Sequence, residues 1–399
     1  MRPSVTPGFS YIPLEETLEI IPSQRSIFIG IPKESSFQEN RVALTPDAVA
    51  VLVNNGNRVV IEHNAGERSS FTDNDYSEAG AQVSYDKAEV FKADMIIKSA
   101  PISEEEVCLL QPNQVIISPV HLPFLKSKIV EQLMKKKIIA IAFDSIKDDS
   151  GTYPIVRSMS EIAGSSSIMT AAKYLSNIHS GTGILLGGIS GIPPAKVVIL
   201  GAGVVAEFAA RTALGLGATV KIFDNSIYRL MRIQNNLGRR LYTSVIDPKA
   251  LQKELSTADV VVGALKPING VTPVVVTESM VETMKSGSVI VDVSIDRGGC
   301  FETSRATTHE NPVFAKHDVI HYCVPNIASG VSRTASKAIS NVLMPIILRC
   351  SELGGIENVL HSKQGIRNGV YLFKGCVTSQ TIAKRFNLKY TDIDLLMGF

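Results

Sequence analysis

Lys196-Val197-Val198-Ile199-Leu200-Gly201-Ala202-Gly203-Val204-Val205-Ala206 reads as a buried strand, a glycine turn and the opening of a helix. Gly201 permits a tight turn, Gly203 lets the backbone approach a ligand, and Ala206 stands where a third glycine often sits. A helix beginning there aims unpaired N–H groups, and the positive end of its dipole, at an anion such as a diphosphate. The order then continues with a predicted helix over Ala206–Gly215, a strand over Thr219–Phe223, and Asp224, 23 residues after Gly201. A carboxylate at that strand end accepts from a ribose 2′-hydroxyl and repels a 2′-phosphate. The stretch therefore predicts dinucleotide binding, with NAD favoured over NADP; Asn225 beside the acid leaves some NADP tolerance open.

Outward from this unit, Asp259–Gly263 and Ser288–Val293 are further short runs, apolar throughout as buried parallel strands are. Upstream, the runs Ile27–Ile31, Arg58–Glu62, Asp94–Lys98, Val115–Ser118 and Ile138–Phe143 alternate with helix-compatible segments. Thr45-Pro46-Asp47 supplies a helix N-cap, a proline in the first turn and an acid near the dipole's positive end, and Gly56 lies where that helix stops. Strand alternating with helix predicts an α/β fold: two Rossmann-like, doubly wound parallel-sheet domains joined by long helices. The long helical patterns run from near Ser160-Glu161 towards Ile178 and from Arg333 to Arg349; everything after Arg349 reads as helical or irregular. If both long helices cross between domains, the tail rejoins the first. The expected division is an N-terminal arm (1–27), a substrate domain (28–153 plus 334–399) and a dinucleotide-binding domain (154–333).

The chain has 399 residues, 45 % hydrophobic and 20 % charged, enough to bury sizeable cores. Its 40 Lys and Arg against 38 Asp and Glu leave a net charge of +2, which offers no basic field for nucleic acid. Five scattered cysteines with no C-x-x-C pair argue against a disulfide framework and a structural metal site, and favour a reducing, cytoplasmic setting. The first 27 residues, with Pro3, Pro7, Pro13 and Pro22, read as a peripheral arm rather than an export signal. The longest apolar runs are strand-sized, so no membrane span is expected.

Four segments carry a family resemblance. Gly30-Ile31-Pro32-Lys33-Glu34 with Asn40-Arg41-Val42-Ala43-Leu44-Thr45-Pro46 looks like the N-terminal signature shared by alanine dehydrogenases and the nucleotide-binding subunit of transhydrogenases. Met159-Ser160-Glu161-Ile162-Ala163-Gly164 resembles the start of their interdomain helix. The run from Asp292 to Glu302, which includes Asp296-Arg297-Gly298-Gly299-Cys300, is similar to the alanine dehydrogenase form, and Tyr322-Cys323-Val324-Pro325-Asn326 with Arg333-Thr334 resembles that family's segment near the nicotinamide. The resemblance covers nearly all of the chain from Ser26 to about Arg349.

It implies reversible NAD-dependent oxidative deamination of L-alanine to pyruvate and ammonium, and a homo-oligomer, specifically a hexamer. It implies Arg41 as the planar fork for the substrate carboxylate, His121 as the proton-exchanging group, and Asp296 near the water or substrate. It also implies Ser160 and Asn326 beside the cofactor, with Gly201, Gly203, Ala206 and Asp224. His121 follows the run Val115–Ser118, at the strand edge where α/β sites assemble. One segment departs from the family: where it carries Lys-x-Lys-Glu-Pro, this chain reads Lys98-Ser99-Ala100-Pro101, without the second lysine. Lys98 either deputises for that lysine or is structural. A dehydrogenase of another amino acid, a transhydrogenase-type NAD(H)-binding subunit and a catalytically weak NAD sensor are the alternatives.

Overall fold

The computed structural model describes residues 25–36, 38–266 and 270–398. Six parallel strands come first: β1 (Phe28–Ile31), β2 (Arg58–Glu62), β3 (Gln82–Ser84), β4 (Met95–Ile97), β5 (Val115–Ser118) and β6 (Ile139–Ala142). They lie in the order β6-β5-β4-β1-β2-β3, so the winding reverses between β1 and β4. A second series holds β7 (Lys196–Leu200), β8 (Thr219–Phe223), β9 (Tyr242–Ser244), β10 (Val260–Gly263), β11 (Val289–Asp292), β12 (Val313–Lys316) and β13 (Val319–Tyr322). Its order, β12-β13-β11-β10-β7-β8-β9, reverses between β7 and β10, and β12 alone runs antiparallel. Both sheets are thus doubly wound, as expected.

Successive residues of a strand point to opposite faces, and here both faces are buried. Ile29, Ile31, Val59, Ile61, Met95, Ile97 and Ile117 enter one core, while Val60, Ile96, Ile116 and Ala140 enter a second across the same sheet. Val197 and Ile199 are separated from Val198 and Leu200 in the same way. That explains the uniformly apolar strands.

The first long helix corrects the sequence reading. It spans Pro154–Tyr174 rather than starting near Ser160, because a turn bound to the Asp148 carboxylate ends at Thr152 and Pro154 is pre-set for the first turn. Ile155 packs in the first sheet's core, whereas Ala163, Ile168 and Ala171 pack in the second's, so this helix crosses between the sheets. A Cβ on Gly164 would lie 2.3 Å from the Val205 carbonyl oxygen, which is why a glycine faces helix Val204–Gly215 there. The second long helix, Ser332–Glu352, places Ile339, Leu343 and Ile347 back in the first sheet's core.

The tail holds a second correction. Val370–Phe373, expected as helical or irregular, is strand β14, antiparallel to β6, and Cys376–Val377 is β15 beside it. Four residues are too short to show a period. Only the open edge of β6, which needs partners for its backbone groups, selects the strand. Of the proposed arm, only its last three residues lie within the described chain; Arg25 donates its backbone N–H to the Ser351 carbonyl at 2.9 Å. Among the described residues, no single helix is long and apolar enough to cross a membrane.

Candidate active site

The glycine turn has the shape its sequence requires. Gly201 has φ +113°, and a Cβ there would meet the Ala264 carbonyl oxygen at 2.3 Å. Such a backbone is open to glycine and closed to other residues. Gly203 is the N-cap of helix Val204–Gly215, and a Cβ built on it meets no heavy atom within 4 Å. With no side chain at the cap, the first-turn N–H groups stay available to an anion in that open space. Ala206 is fully buried under the turn. Asp224, at the end of β8, accepts the Ala202 N–H at 2.8 Å through one oxygen and the Ser226 N–H at 2.7 Å through the other. It therefore braces the turn and caps the next segment, with lone pairs still free for ribose hydroxyls. These residues fit a dinucleotide.

Arg41 is positioned from far along the chain. The loop after β1 has no regular partner, and three serines satisfy its backbone instead. Asn40 N–H donates to Ser329 Oγ at 2.8 Å, Val42 N–H to Ser336 Oγ at 2.9 Å and Thr45 N–H to Ser340 Oγ at 3.1 Å. Ser336 and Ser340 are four residues apart and so share a face of the second long helix. Thr45 does occupy an N-cap, but its side chain makes no capping bond and lies against Ser340 instead.

Glu39 accepts from Arg41 Nε at 2.7 Å and from Nη2, while Nη1 lies 3.3 Å from Met159 Sδ. Desolvation works against the Arg41 charge, and Glu39 more than restores it, so its pKa is raised. The outer Nη1–Nη2 edge remains to receive a carboxylate.

A hydrogen-bonded chain then crosses to the second sheet. Asn326, in the left-handed region at φ +55°, donates Nδ2–H to Glu39 Oε2 at 3.2 Å and its backbone N–H to Asp296 Oδ1 at 2.9 Å. Asp296 lies in the 3-10 turn Val293–Arg297 that follows β11. Buried Asp292 folds that turn back by accepting from Ser294 N–H, Cys300 N–H and Ser304 Oγ–H at 3.0, 3.0 and 2.7 Å. His121, three residues beyond β5, is open to solvent as a residue. Desolvation first, then the Arg41 charge, push its pKa below the ordinary 6.5, and Asp296 opposes them. Desolvation lifts the Asp296 carboxyl above its usual range, although the residue as a whole is open to solvent. Arg41, His121 and Asp296 thus act on one another at the facing carboxyl edges of the two sheets.

Lys98 stands one carboxylate away from Arg41, since its partner Glu34 lines the same small cavity as Glu39 and Arg41. At the end of β4, beside the β1/β4 reversal, its Nζ donates to Glu34 at 2.7 Å and Glu106 at 3.0 Å, with 1 % of the side chain exposed. Desolvation opposes its charge, and the two carboxylates outweigh it, raising its pKa. The crevice that a doubly wound sheet usually opens to ligand is plugged here by an ion-pair cluster. Ser160, on the first long helix, returns its hydroxyl to the Val156 carbonyl at 2.8 Å, leaving its oxygen free to accept.

Three residues near the site escaped the sequence reading. Glu39 carried a signal, an acid two residues before the arginine. Arg297 is next to Asp296. Asp144, after β6, has a pKa of about 6 because burial outweighs the Val120 N–H; its Oδ1 has no partner among the described residues. Nothing local in the sequence marks it.

Two doubly wound sheets whose carboxyl edges bring an arginine, a histidine and an aspartate together beside a glycine turn define a two-domain dehydrogenase. The family models for the N-terminal and C-terminal domains of alanine dehydrogenase/PNT match residues 30–163 and 167–380, and the chain belongs to that family. Alanine dehydrogenase 2 of Staphylococcus aureus strain Mu50 is 38 % identical over 367 residues, 92 % of this chain and 98 % of the relative. A solved L-alanine dehydrogenase superposes with a TM-score of 0.84 at 35 % identity, over 90 % of this chain and 99 % of the other. A transhydrogenase from Sinorhizobium meliloti shares the fold, with a TM-score of 0.75 at 24 % identity over 89 % and 99 % of the two chains.

Proposed function

We propose that this chain catalyses the reversible, NAD-dependent oxidative deamination of L-alanine to pyruvate and ammonium. The observation that carries the reading is the chain Arg41–Glu39–Asn326–Asp296, which ties the carboxylate-holding cation to the acid of the opposite sheet with His121 between their fields. Gly203 with the first-turn N–H groups would hold the diphosphate of NAD and Asp224 its ribose, and the bound cofactor would supply the hydride acceptor. Ser160 and Asn326 complete its surroundings.

Each protein group then has one task. Arg41 takes the substrate carboxylate on its outer edge and fixes the α-carbon. His121, neutral near pH 7 because its pKa is held down, accepts a proton during deamination and returns it in the reverse direction. Asp296 orients the water that adds to the imino carbon. An absorbance assay for NADH, with alanine forwards and pyruvate plus ammonium in reverse, tests the reading. No change in either direction rejects alanine as substrate.

A second reading has its own observation. Ala100 stands where the family's second lysine is expected, and Lys98 is spent on Glu34 and Glu106. The enzyme then acts on another amino acid, and a panel of amino acids with NAD separates the two. We also read the protein as cytoplasmic and as a homo-oligomer, a hexamer by resemblance. Exposed Ile178, Leu185, Ile189 and Ile192 around the glycine-rich link support association. Light scattering of the purified protein tests it.

A further inference from the structure

Charges of both signs line the cleft around Arg41. Arg41 brings one positive charge, but Glu39 lies against it and Asp296 stands across from it. Lys98 adds nothing, since its ammonium is buried between two carboxylates. A carboxylate approaching Arg41 would meet Glu39 against it and Asp296 across the cleft, with Arg68 and Lys33 lining the same small cavity as Arg41. At the effective dielectric of a protein surface, like charges a few ångströms apart cost several kcal/mol.

A further cation stands on the second sheet's side. Arg297 is the last residue of the 3-10 turn that carries Asp296, and Gly298, at φ +102°, turns the chain away immediately after it. Its carbonyl accepts the Thr272 N–H at 2.9 Å, which fixes the backbone. The side chain is half-buried, yet among the described residues its guanidinium has no hydrogen-bond or ion-pair partner. None of its nitrogens is sealed from solvent, so the guanidinium's donors are open to an incoming carboxylate. Arg297 follows directly on Asp296, whose Oδ1 accepts the Asn326 N–H at 2.9 Å, and its charge acts on His121 and Asp144 of the first sheet as well as on Asp296.

We propose that Arg297 is a substrate-binding residue, supplying from the second sheet the cation that completes the carboxylate site opposite Arg41. The proposal rests on the amino-acid dehydrogenase reading and extends it. Two planar forks grip the carboxylate from opposite halves of the molecule, so holding substrate and bringing the two sheets together become one event. In this chain the absence of a lysine at Ala100 is offset across the cleft, not along the same strand.

The test compares wild type, Arg297→Gln and Arg297→Lys, each as the full chain. Readouts are KM and kcat for pyruvate with ammonium, and calorimetric affinity for NADH and for oxalate added to the NADH complex. Losing one charge-assisted carboxylate contact raises the pyruvate KM and the oxalate Kd of Arg297→Gln about tenfold or more. NADH affinity stays within about twofold, and Arg297→Lys recovers part of the loss. The acid limb assigned to His121 moves to higher pH in Arg297→Gln, because one of the two cations lowering that pKa is gone; Asp296 and Glu39, which raise it, remain.

Unchanged pyruvate and oxalate binding in Arg297→Gln overturns the proposal, and so does an equal loss of NADH binding. If wild type turns over no amino acid, the dehydrogenase reading fails separately. Arg297 is then judged on oxalate alone: binding lost on substitution supports it, and no binding by wild type overturns it.

Discussion

Replacing Lys98 with methionine separates a structural lysine from a substrate-binding one. The substitution removes the ammonium that Glu34 and Glu106 share at 2.7 and 3.0 Å, inside a region where 1 % of the lysine side chain is exposed. Breaking a buried ion pair by deleting one partner costs about 3–5 kcal/mol, because the surviving charge stays desolvated. The lower end applies here. Glu106 keeps Lys87 Nζ at 3.0 Å and the Ser103 N–H at 3.0 Å, and Glu34 keeps the N–H groups of Ser99 and Ala100 at 2.5 and 3.2 Å.

A loss of about 3 kcal/mol lowers the melting temperature of a half-chain unit of this size by roughly 6–12 °C. The penalty also depends on pH. Burial already raises the pKa of Glu34 above 4.5 against the pull of Lys98, and without that pull it rises further. A carboxyl whose folded pKa is raised contributes stability below its unfolded value and loses it as pH climbs through the folded value. The gap between variant and wild type therefore narrows at pH 5 and widens at pH 8. Thermal melts followed by circular dichroism at the two pH values measure it, alongside the KM for pyruvate, expected to stay within about twofold. A pyruvate KM raised more than about tenfold with an unchanged melting temperature would refute the reasoning and return Lys98 to the substrate site.

The other predictions are direct. His121→Ala lowers kcat by about 10²–10⁴, the usual span for a lost acid–base group. Asp296→Asn moves the acid limb of the deamination profile to lower pH, since Asp296 is a charge that raises the pKa of His121; an upward move would contradict the placement. Asp224→Ser weakens NAD about tenfold or more and shifts the NAD-to-NADP preference towards NADP, read as the ratio of kcat/KM values. Its loss also frees the Ala202 N–H, so NADP gains less than NAD loses. Gly201→Ala abolishes NADH binding by calorimetry, because its Cβ would stand 2.3 Å from the Ala264 carbonyl oxygen at a φ of +113°. Wild-type affinity in that variant would show that the turn is not the diphosphate site.

What the chain order alone determined is what short-range physics controls. A strand, a glycine turn, a helix and an acid within 30 residues specify their own geometry, because strain at φ > 0 selects glycine and the helix terminus selects the anion. The apolar runs, each within a residue or two of a strand, specified two sheets buried on both faces, and His121 stood just past the end of such a run, whereas Arg41 was marked only by the family resemblance. The tertiary structure decided which charges are spent. Lys98 meets Glu34 from 64 residues away, Arg41's loop is held by serines nearly 300 residues on, and Asn326 spans to Glu39 across 287. It also decided that Val370–Phe373 pairs with β6 and that the Arg297 guanidinium is left without a hydrogen-bond or ion-pair partner among the described residues. An ionic or edge-strand partner is chosen by desolvation and distance in the folded state, and neither leaves a periodic trace along the sequence.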